Sequence, residues 1–494
     1  MGSFLLRVEG VNFDATVYET DDISTIRGAS LALLRLGDHV LDALTALPGV
    51  QNPELVFNGA SQAVLTGETS LSADALRQQV ADRLAGVDSP PFSALTTVVD
   101  VVEVDGKDMA EATRQAEARN ASRQFRQWTI EPQPFFKEAQ HADSRDRVRP
   151  VRAEKKTNDQ LAKTNDQKEK INDQRKKKKE FGREARQTFY KQELQELLPS
   201  GTGVTFTDDL QDMIANAPPD VPETVRSKIA VFYADGNDFG KHRKGDLTAF
   251  SEDLKQKRRA LLAKIIQWYD TNRADAAFTN NGDFRLETLL WGGDEMLFVL
   301  PAWLAWKFVQ QVADEIKGWS FQGKPLTHAM GLVIANVKTP IRQLRAIAQW
   351  SADSAKDADL RDRNTVTIEV FESLSPPERI EDFHAMREQR YGKDEQMPLP
   401  RWLALPVDAL AAETAGLPRS QLYKTLRKTG GRLLGEDATK AVTASFKEYQ
   451  QRTGYSLPAT LLPAVDDSRP LPLTLAMLAD LWDYLPPADE EACS

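Results

Sequence analysis

A carboxylate at the end of one apolar segment is the first residue that could do chemistry. Residues 229–234 form a continuous apolar run, which predicts a buried strand. This strand delivers Asp235 to its carboxyl end, where Gly236 permits a sharp turn. An aspartate in this position is a suitable hard oxygen ligand for a divalent cation.

Two more carboxylates lie at a second turn, about sixty residues further along the chain. The apolar runs 288–291 and 296–300 are separated by Gly292-Gly293-Asp294-Glu295. Two short strands around a Gly-Gly pair predict a tight hairpin that holds both carboxylates at its tip. Each motif by itself is typical of an acidic surface turn. Together they favour a Mg²⁺ site whose remaining positions are filled by nucleotide phosphates.

Both motifs resemble a known family. Tyr233-Ala234-Asp235-Gly236-Asn237-Asp238-Phe239-Gly240 and Trp291-Gly292-Gly293-Asp294-Glu295 are similar to the two metal-binding motifs of a palm domain. That domain is shared by GGDEF nucleotide cyclases and the large subunit of type III CRISPR complexes. Residues 328–335, 338–340 and the helix expected from Ile341 to Lys356 are more similar to the CRISPR branch. The resemblance covers about 227–372 and departs at Asn237, where the family usually has a second aspartate.

The resemblance implies a two-metal nucleotidyltransferase site with Mg²⁺ or Mn²⁺ as cofactor. Asp235 and Asp294 would be metal ligands, with the Gly236 carbonyl as a third, and catalysis would depend on Asp235, Asp294 and Glu295. Whether Glu295 acts as ligand, as base or only as a solvated turn residue stays open. Because Asn237 replaces a carboxylate, changing it to Asp is expected to tighten metal binding.

Nucleotide contacts are expected around the same two turns. Gly292 and Gly293 would let phosphate or ribose approach the backbone. The resemblance places a phosphate-contacting lysine at Lys356, although a solvated lysine at a helix end has the same sequence signature. The expected nucleotide-binding residues are Asn237, Asp238, Phe239, Lys241, Gly292, Gly293 and Lys356.

Composition excludes several other classes of protein. The chain has 494 residues, 41% hydrophobic and 28% charged, with a net charge of −10. The sequence contains no run of eighteen apolar residues, so no membrane span is predicted. The first residues lack the long apolar core of a signal peptide. Its one cysteine, Cys493, excludes internal disulfides and cysteine-rich zinc fingers and predicts a cytoplasmic location. The five histidines lack ligand-like spacing, and no His-Asp doublet indicates a fused nuclease.

The order of predicted elements indicates an α+β protein with two ferredoxin-like palm (βαββαβ) domains. A helical and charged insert would separate them, and a helical C-terminal domain would follow. The predicted boundaries are 1–107, 108–226, 227–375 and 376–494. In the first domain, a helix is expected from Ser24 to about Leu44, and Asn58-Gly59-Ala60-Ser61 forms the hairpin tip without a carboxylate. We therefore expect a palm without a metal site, the alternative being an unrelated α+β domain.

The insert contains a basic arm. Residues 145–186 carry 16 Lys and Arg against 8 Asp and Glu, a net charge of +8 in an acidic chain. Three Asn-Asp-Gln repeats lead into Arg175, Lys176, Lys177, Lys178 and Lys179. Too few apolar residues recur for a coiled coil, so a solvated helix or a partly disordered arm is expected. The sharper hypothesis is an arm that contacts nucleic-acid phosphates.

Three functions agree with these observations. The first is a magnesium-dependent cyclase that converts NTP, with ATP favoured, to a cyclic nucleotide or oligonucleotide messenger in antiphage defence. The second is a non-catalytic palm scaffold in an RNA-guided CRISPR-type ribonucleoprotein. A remoter alternative is a GGDEF-like diguanylate cyclase acting as a homodimer. Expected partners are accordingly the NTP, RNA and other CRISPR-type subunits, or a second copy of the chain, and no membrane.

Overall fold

A computed structural model of the chain describes a large part of the sequence. The described residues are 1–11, 17–18, 22–59, 61–85, 92, 95–104, 108–126, 141–142, 150–151, 199, 203–243, 247–356, 361–372, 376–391, 417–431, 433, 435–456 and 471–484. The chain divides into two compact units, of which the first contains Met1–Val204, Asp238–Lys264 and Thr288–Met296. The second contains Thr205–Asn237, Ile265–Glu287 and Leu297–Ser494.

The N-terminal sheet has four strands: β1 (Gly2–Gly10), β2 (Val50–Asn58), β3 (Gln62–Thr69) and β4 (Thr97–Glu103). Their order is β2-β3-β1-β4, and every neighbouring pair is antiparallel. The helices are α1 (Ile23–Leu34), α2 (Leu36–Thr45), α3 (Ala73–Ala85) and α4 (Met109–Gln124). This strand order is that of a ferredoxin-like βαββαβ domain, as predicted.

The expected helix from Ser24 to Leu44 is two helices. The chain breaks at Arg35, between α1 and α2. The N-cap of α1 is Asp22, whose Oδ1 accepts from the backbone N–H of Thr25 at 2.9 Å. An aspartate cap satisfies one of the free N–H groups of the first turn, so the helix begins at Ile23.

The second sheet has five strands: β5 (Lys228–Gly236), β6 (Glu287–Gly292), β7 (Glu295–Pro301), β8 (His328–Asn336) and β9 (Thr365–Val370). Their order is β6-β7-β5-β8-β9. The first four strands repeat the order of the N-terminal sheet, and β9 adds a parallel edge beside β8. The sequence therefore predicted correctly that two sheets share one topology.

The helices between and after these strands have these bounds: α5 (Phe239–Arg243), α6 (Leu247–Thr271), α7 (Ala305–Ile316), α8 (Ile341–Ala355), α9 (Ile380–Tyr391), α10 (Arg419–Arg427), α11 (Glu436–Thr453) and α12 (Leu471–Leu481). Short helical turns occupy Leu210–Ile214, Glu223–Arg226 and Ala302–Leu304. Two-residue strands pair His141–Ala142 with Pro150–Val151, Thr279–Asn280 with Asp283–Phe284, and Ser320–Phe321 with Lys324–Pro325. The last three helices enclose their own apolar core, which includes Leu422, Val442 and Leu475. The described residues of the C-terminal region are thus mainly helical, as expected.

The segment just before β6 contains a buried cation, the side chain of Arg285. The side chain of Arg285 is fully buried and donates to the backbone carbonyls of Met213 at 2.6 Å, Ala215 at 2.7 Å and Asn216 at 3.0 Å. It also donates to the carbonyl of Thr279 at 2.9 Å. A guanidinium satisfies several carbonyls at once because its donors form a rigid planar fork. Sequence patterning gave no sign of this cluster.

Candidate functional site

Asp235, the second-last residue of β5, contacts a lysine at the end of a helix distant in the sequence. The Nζ of Lys356 forms an ion pair with Oδ2 of Asp235, and both side chains are less than a fifth exposed. Burial lowers the pKa of Lys356, but its hydrogen bond and charge interaction with Asp235 outweigh that effect and hold the pKa above its ordinary value. The lysine is therefore charged and bound to the carboxylate that the sequence predicts as a metal ligand.

The position of Lys356 depends on how α8 packs against the sheet. Lys356 is the C-cap of α8, and its N–H donates to the carbonyl of Asp353 at 3.0 Å. Within β8, a Cβ added to Gly331 would lie 1.9 Å from the carbonyl oxygen of Ala348 in α8. Only glycine permits so close a backbone approach. Gly331 thus allows α8 to lie tightly on β8.

The segment that follows α8 makes three further contacts at the same strand ends. The Arg361 carbonyl accepts from Thr327 Oγ1 at 2.6 Å, and Oδ1 of Asn364 accepts from the N–H of His328 at 2.8 Å. The Arg363 carbonyl accepts from Nδ2 of Asn237 at 3.5 Å. Residues 361–364 therefore hold the carboxyl end of β5 and the start of β8 in place.

The side chain of Asn237 faces the protein interior and takes part in these contacts. Its side chain is 4% exposed, and its Nδ2 donates to Thr327 Oγ1 at 3.1 Å. Its backbone N–H donates to the Thr327 carbonyl at 2.8 Å and so continues the pairing of β5 with β8. The residue was predicted to contact nucleotide, and the structure places its amide in contact with Thr327 and Arg363.

A neutral histidine lies in the same region. His328 pairs in register with Gly236, and its imidazole packs edge-on against Trp319 with ring centroids 5.4 Å apart. The side chain is 1% exposed, and burial lowers its pKa to about 3. This histidine is therefore uncharged at neutral pH.

The second predicted motif is the hairpin between β6 and β7. The strands extend to Gly292 and from Glu295, so the turn itself has two residues, Gly293 and Asp294. Gly293 has φ of +58°, and glycine at the first central position with positive φ is the pattern of a type II′ hairpin turn. Asp294 and Glu295 are both partly exposed. The predicted hairpin is confirmed, with Asp294 at the tip and Glu295 as the first strand residue.

Other predicted nucleotide-binding residues follow β5 in the chain. Asp238 has φ of +58°, a left-handed conformation that Asp tolerates better than most residues, and pairs with Lys241 at 2.7 Å. Lys241 is largely exposed. Phe239 is buried and packs edge-on against Phe250, with ring centroids 5.8 Å apart. Lys241 and Asp238 are thus accessible to a ligand, whereas the Phe239 ring is part of the core.

The equivalent hairpin of the N-terminal sheet is built differently. Its turn is closed by the N–H of Gly59, which donates to the Gln62 carbonyl at 2.7 Å. The Asn58 side chain contacts the end of α1, where its Nδ2 donates to the Leu34 carbonyl at 3.2 Å. Residues 58–61 contain no carboxylate. That this sheet lacks a metal site stays a prediction.

Metal-binding clusters and membrane-spanning helices are considered for the residues that the structure describes. Within them, no group of three or more His, Cys, Asp and Glu side chains is arranged to hold a metal ion. No helix in that part of the chain has the length and apolarity that a membrane crossing needs. The basic arm with Arg175 and Lys176–Lys179 lies outside the described residues, and its contact with nucleic acid stays a prediction.

Comparison with known proteins identifies the domain. Residues 228–367 match the family model of Cas10/Cmr2, second palm domain. No curated protein sequence matches the chain.

Solved structures share the fold across nearly the whole chain. A Csm1–Csm4 cassette in complex with cA4 is 13% identical, with 98% of this chain and 70% of that chain covered and a TM-score of 0.56. A cassette in complex with AMPPNP is 13% identical, covering 98% and 69%, with a TM-score of 0.53. Csm1 in T. onnurineus is 13% identical, covering 98% and 70%, with a TM-score of 0.52. At this identity the likeness concerns the fold. Residues 228–367, with the strand-end Asp235 and the Gly-Gly-Asp-Glu hairpin, thus belong to the Cas10 palm-domain family.

Proposed function

We propose that this protein is a magnesium-dependent nucleotidyltransferase that converts ATP to a cyclic nucleotide or cyclic oligonucleotide. The observation that carries the proposal is the retention of both acidic motifs at strand ends: Asp235 near the end of β5, Asp294 in the turn just before β7, and Glu295 as the first residue of β7. Complexes of the Csm1–Csm4 cassette with AMPPNP and with cA4 support a nucleotide substrate and a cyclic product. The product would serve as a second messenger in antiphage defence.

The residues present suit Mg²⁺ or Mn²⁺ in their chemistry. Carboxylates and a backbone carbonyl are hard oxygen donors, and the proposed ligands are Asp235, Asp294 and the Gly236 carbonyl. Asp235 Oδ2 is held by Lys356, so this carboxylate is already oriented by a cation. The bound metal would supply Lewis-acid activation of a ribose hydroxyl and charge neutralisation at the leaving pyrophosphate.

The protein's own side chains then have defined tasks. Asp235 and Asp294 would bind and orient the metal-bound triphosphate, and Glu295 would assist as ligand or base. Lys356 and Lys241 carry the positive charge proposed to contact phosphate oxygens. The backbone of Gly292 and Gly293 would admit phosphate or ribose without a side chain in the way.

Incubation of the purified protein with each radiolabelled NTP tests the proposal, with Mg²⁺ or Mn²⁺ and with or without RNA. We expect cyclic products from ATP. Asp294→Asn should lower turnover by roughly 10²-fold or more, because it removes a metal ligand from a partly exposed turn where little packing is lost.

The matched control is Asp314→Asn, which removes an exposed carboxylate from α7. It should keep wild-type turnover, and both variants should keep the wild-type melting temperature. Wild-type turnover in Asp294→Asn would show that the carboxylate is not a metal ligand. Product from GTP in place of ATP would instead identify a diguanylate cyclase.

The second candidate function is that of a non-catalytic scaffold. The observation that favours it is the residue at position 237, an asparagine. The position where the family usually has a second aspartate carries an amide built into the protein interior. In this case the chain would still join an assembly with RNA and other CRISPR-type subunits, as Csm1 does with Csm4 in the Csm1–Csm4 cassette. Absence of turnover with every NTP and metal, even when RNA and co-purifying subunits are present, would favour this function.

A further inference from the structure

The ion pair between Lys356 and Asp235 has a consequence for metal binding. The two residues are 121 positions apart, and each side chain is less than a fifth exposed. Lys356 is also held by Asp353, whose Oδ1 lies 3.2 Å from Nζ. The ammonium is therefore anchored at the carboxylate by the packing of α8 and by a second acidic residue.

We propose that Lys356 is a built-in competitor of the divalent cation for Asp235, and thereby sets the affinity of the site for metal. This inference rests on the proposed function, because it takes Asp235 as a metal ligand. The ammonium of Lys356 neutralises the charge of the Asp235 carboxylate, and a cation that binds this carboxylate competes with the ammonium for it. The lysine thus weakens binding of free metal while it keeps Asp235 oriented.

The physical basis is exchange of one cation for another at a single carboxylate. The pair is shielded from water, so its Coulomb attraction is stronger than that of an exposed pair. That attraction is lost when metal displaces the lysine, and the observed metal affinity falls by the corresponding factor. Removing the ammonium while keeping most of the length of the side chain should therefore tighten binding of free metal.

Binding of Mn²⁺ alone, measured by electron paramagnetic resonance without nucleotide, tests the proposal. Lys356→Met should bind Mn²⁺ about tenfold more tightly than wild type, a factor that corresponds to about 1.4 kcal/mol. Lys356→Arg keeps the positive charge and should bind near the wild-type level. Lys338→Met, an exposed lysine just before the opposite end of α8, should leave the affinity unchanged.

Asp235→Asn separates failure of this inference from failure of the proposed function. If Asp235→Asn loses Mn²⁺ binding while Lys356→Met equals wild type, the metal site stands and the competition is wrong. If Asp235→Asn binds Mn²⁺ like wild type, Asp235 is not a ligand, and both the metal site and the competition fail. Wild-type melting temperatures for Lys356→Arg and Lys338→Met verify that the comparison is between folded proteins.

Discussion

Asp235 and Asn237 lie two residues apart, yet their surroundings give them different roles. Asp235 forms an ion pair with Lys356, whereas Asn237 is buried and donates to Thr327 and to the carbonyl of Arg363. Sequence alone suggested that a second carboxylate at Asn237 would tighten metal binding. That effect on metal binding stays a prediction, and the structure adds a cost in stability, because the amide donates at that position and a carboxylate cannot.

At the residue scale, Asn237→Asp should destabilise the protein. The Thr327 hydroxyl already donates to the Arg361 carbonyl, so a carboxylate would face acceptors in a buried position. We expect a loss of about 2 kcal/mol in the free energy of unfolding, measured by urea denaturation at pH 7.

Asn336→Asp is the matched control for this substitution. Asn336 is exposed, and its Oδ1 accepts from the N–H of Lys338 at 3.0 Å, a contact that a carboxylate keeps. Its unfolding free energy should stay within about 0.5 kcal/mol of wild type. Equal stability of Asn237→Asp and wild type would contradict the inward orientation of the amide.

At the scale of elements, the contact of α8 with β8 determines where the ammonium of Lys356 lies. Gly331 allows the approach, and α8 ends in the lysine that binds Asp235. A methyl group at Gly331 would meet the backbone of Ala348, and a backbone atom cannot rotate out of the way. The helix itself would have to move.

Gly331→Ala should therefore lower the free energy of unfolding by about 1–3 kcal/mol, as expected for an overpacked core. Thermal and urea denaturation would measure this. Gly318→Ala is the control, because a Cβ there meets nothing within 4 Å, and it should change stability by less than about 0.5 kcal/mol. Similar stabilities for the two variants would show that α8 shifts without cost.

At the scale of the whole molecule, stability in acid should depend in part on the buried His328. Burial lowers the pKa of His328 to about 3, whereas the unfolded chain has the ordinary value of 6.5. Between these values the unfolded state binds a proton that the folded state does not. Stability contributed by the neutral His328 is therefore complete above pH 6.5 and is lost as the pH falls toward 3.

His328→Leu should remove this pH dependence. The unfolding free energy of wild type should fall, relative to the variant, by at most about 1.4 kcal/mol for each pH unit below 6.5. Urea denaturation at pH 7, 6 and 5 measures the difference between the two proteins. His384→Gln, at an exposed histidine, should follow wild type. Parallel pH profiles of wild type and His328→Leu would contradict a neutral buried imidazole.

Local pattern in the sequence determined the elements and their order. Apolar runs predicted β5, β6 and β7, and a Gly-Gly pair predicted the hairpin, because strand burial and turn conformation depend on residues close together in the chain. The match in strand order between the two sheets was expected because both halves show the βαββαβ order of elements. Only the break at Arg35 and the Asp22 cap altered an expected helix in the first domain.

Tertiary structure alone decided which side chains meet. Lys356 reaches Asp235 across 121 positions, Arg363 reaches Asn237 across 126, and Arg285 gathers the carbonyls of a segment about seventy residues earlier. Periodicity carries no information on such pairs, because it reports the face on which a residue lies and not the partner across the interface. The sequence by itself determined at which strand ends and turns the carboxylates lie. The packing of α8 and of the segment after it decided that Asp235 pairs with a lysine and that Asn237 is buried.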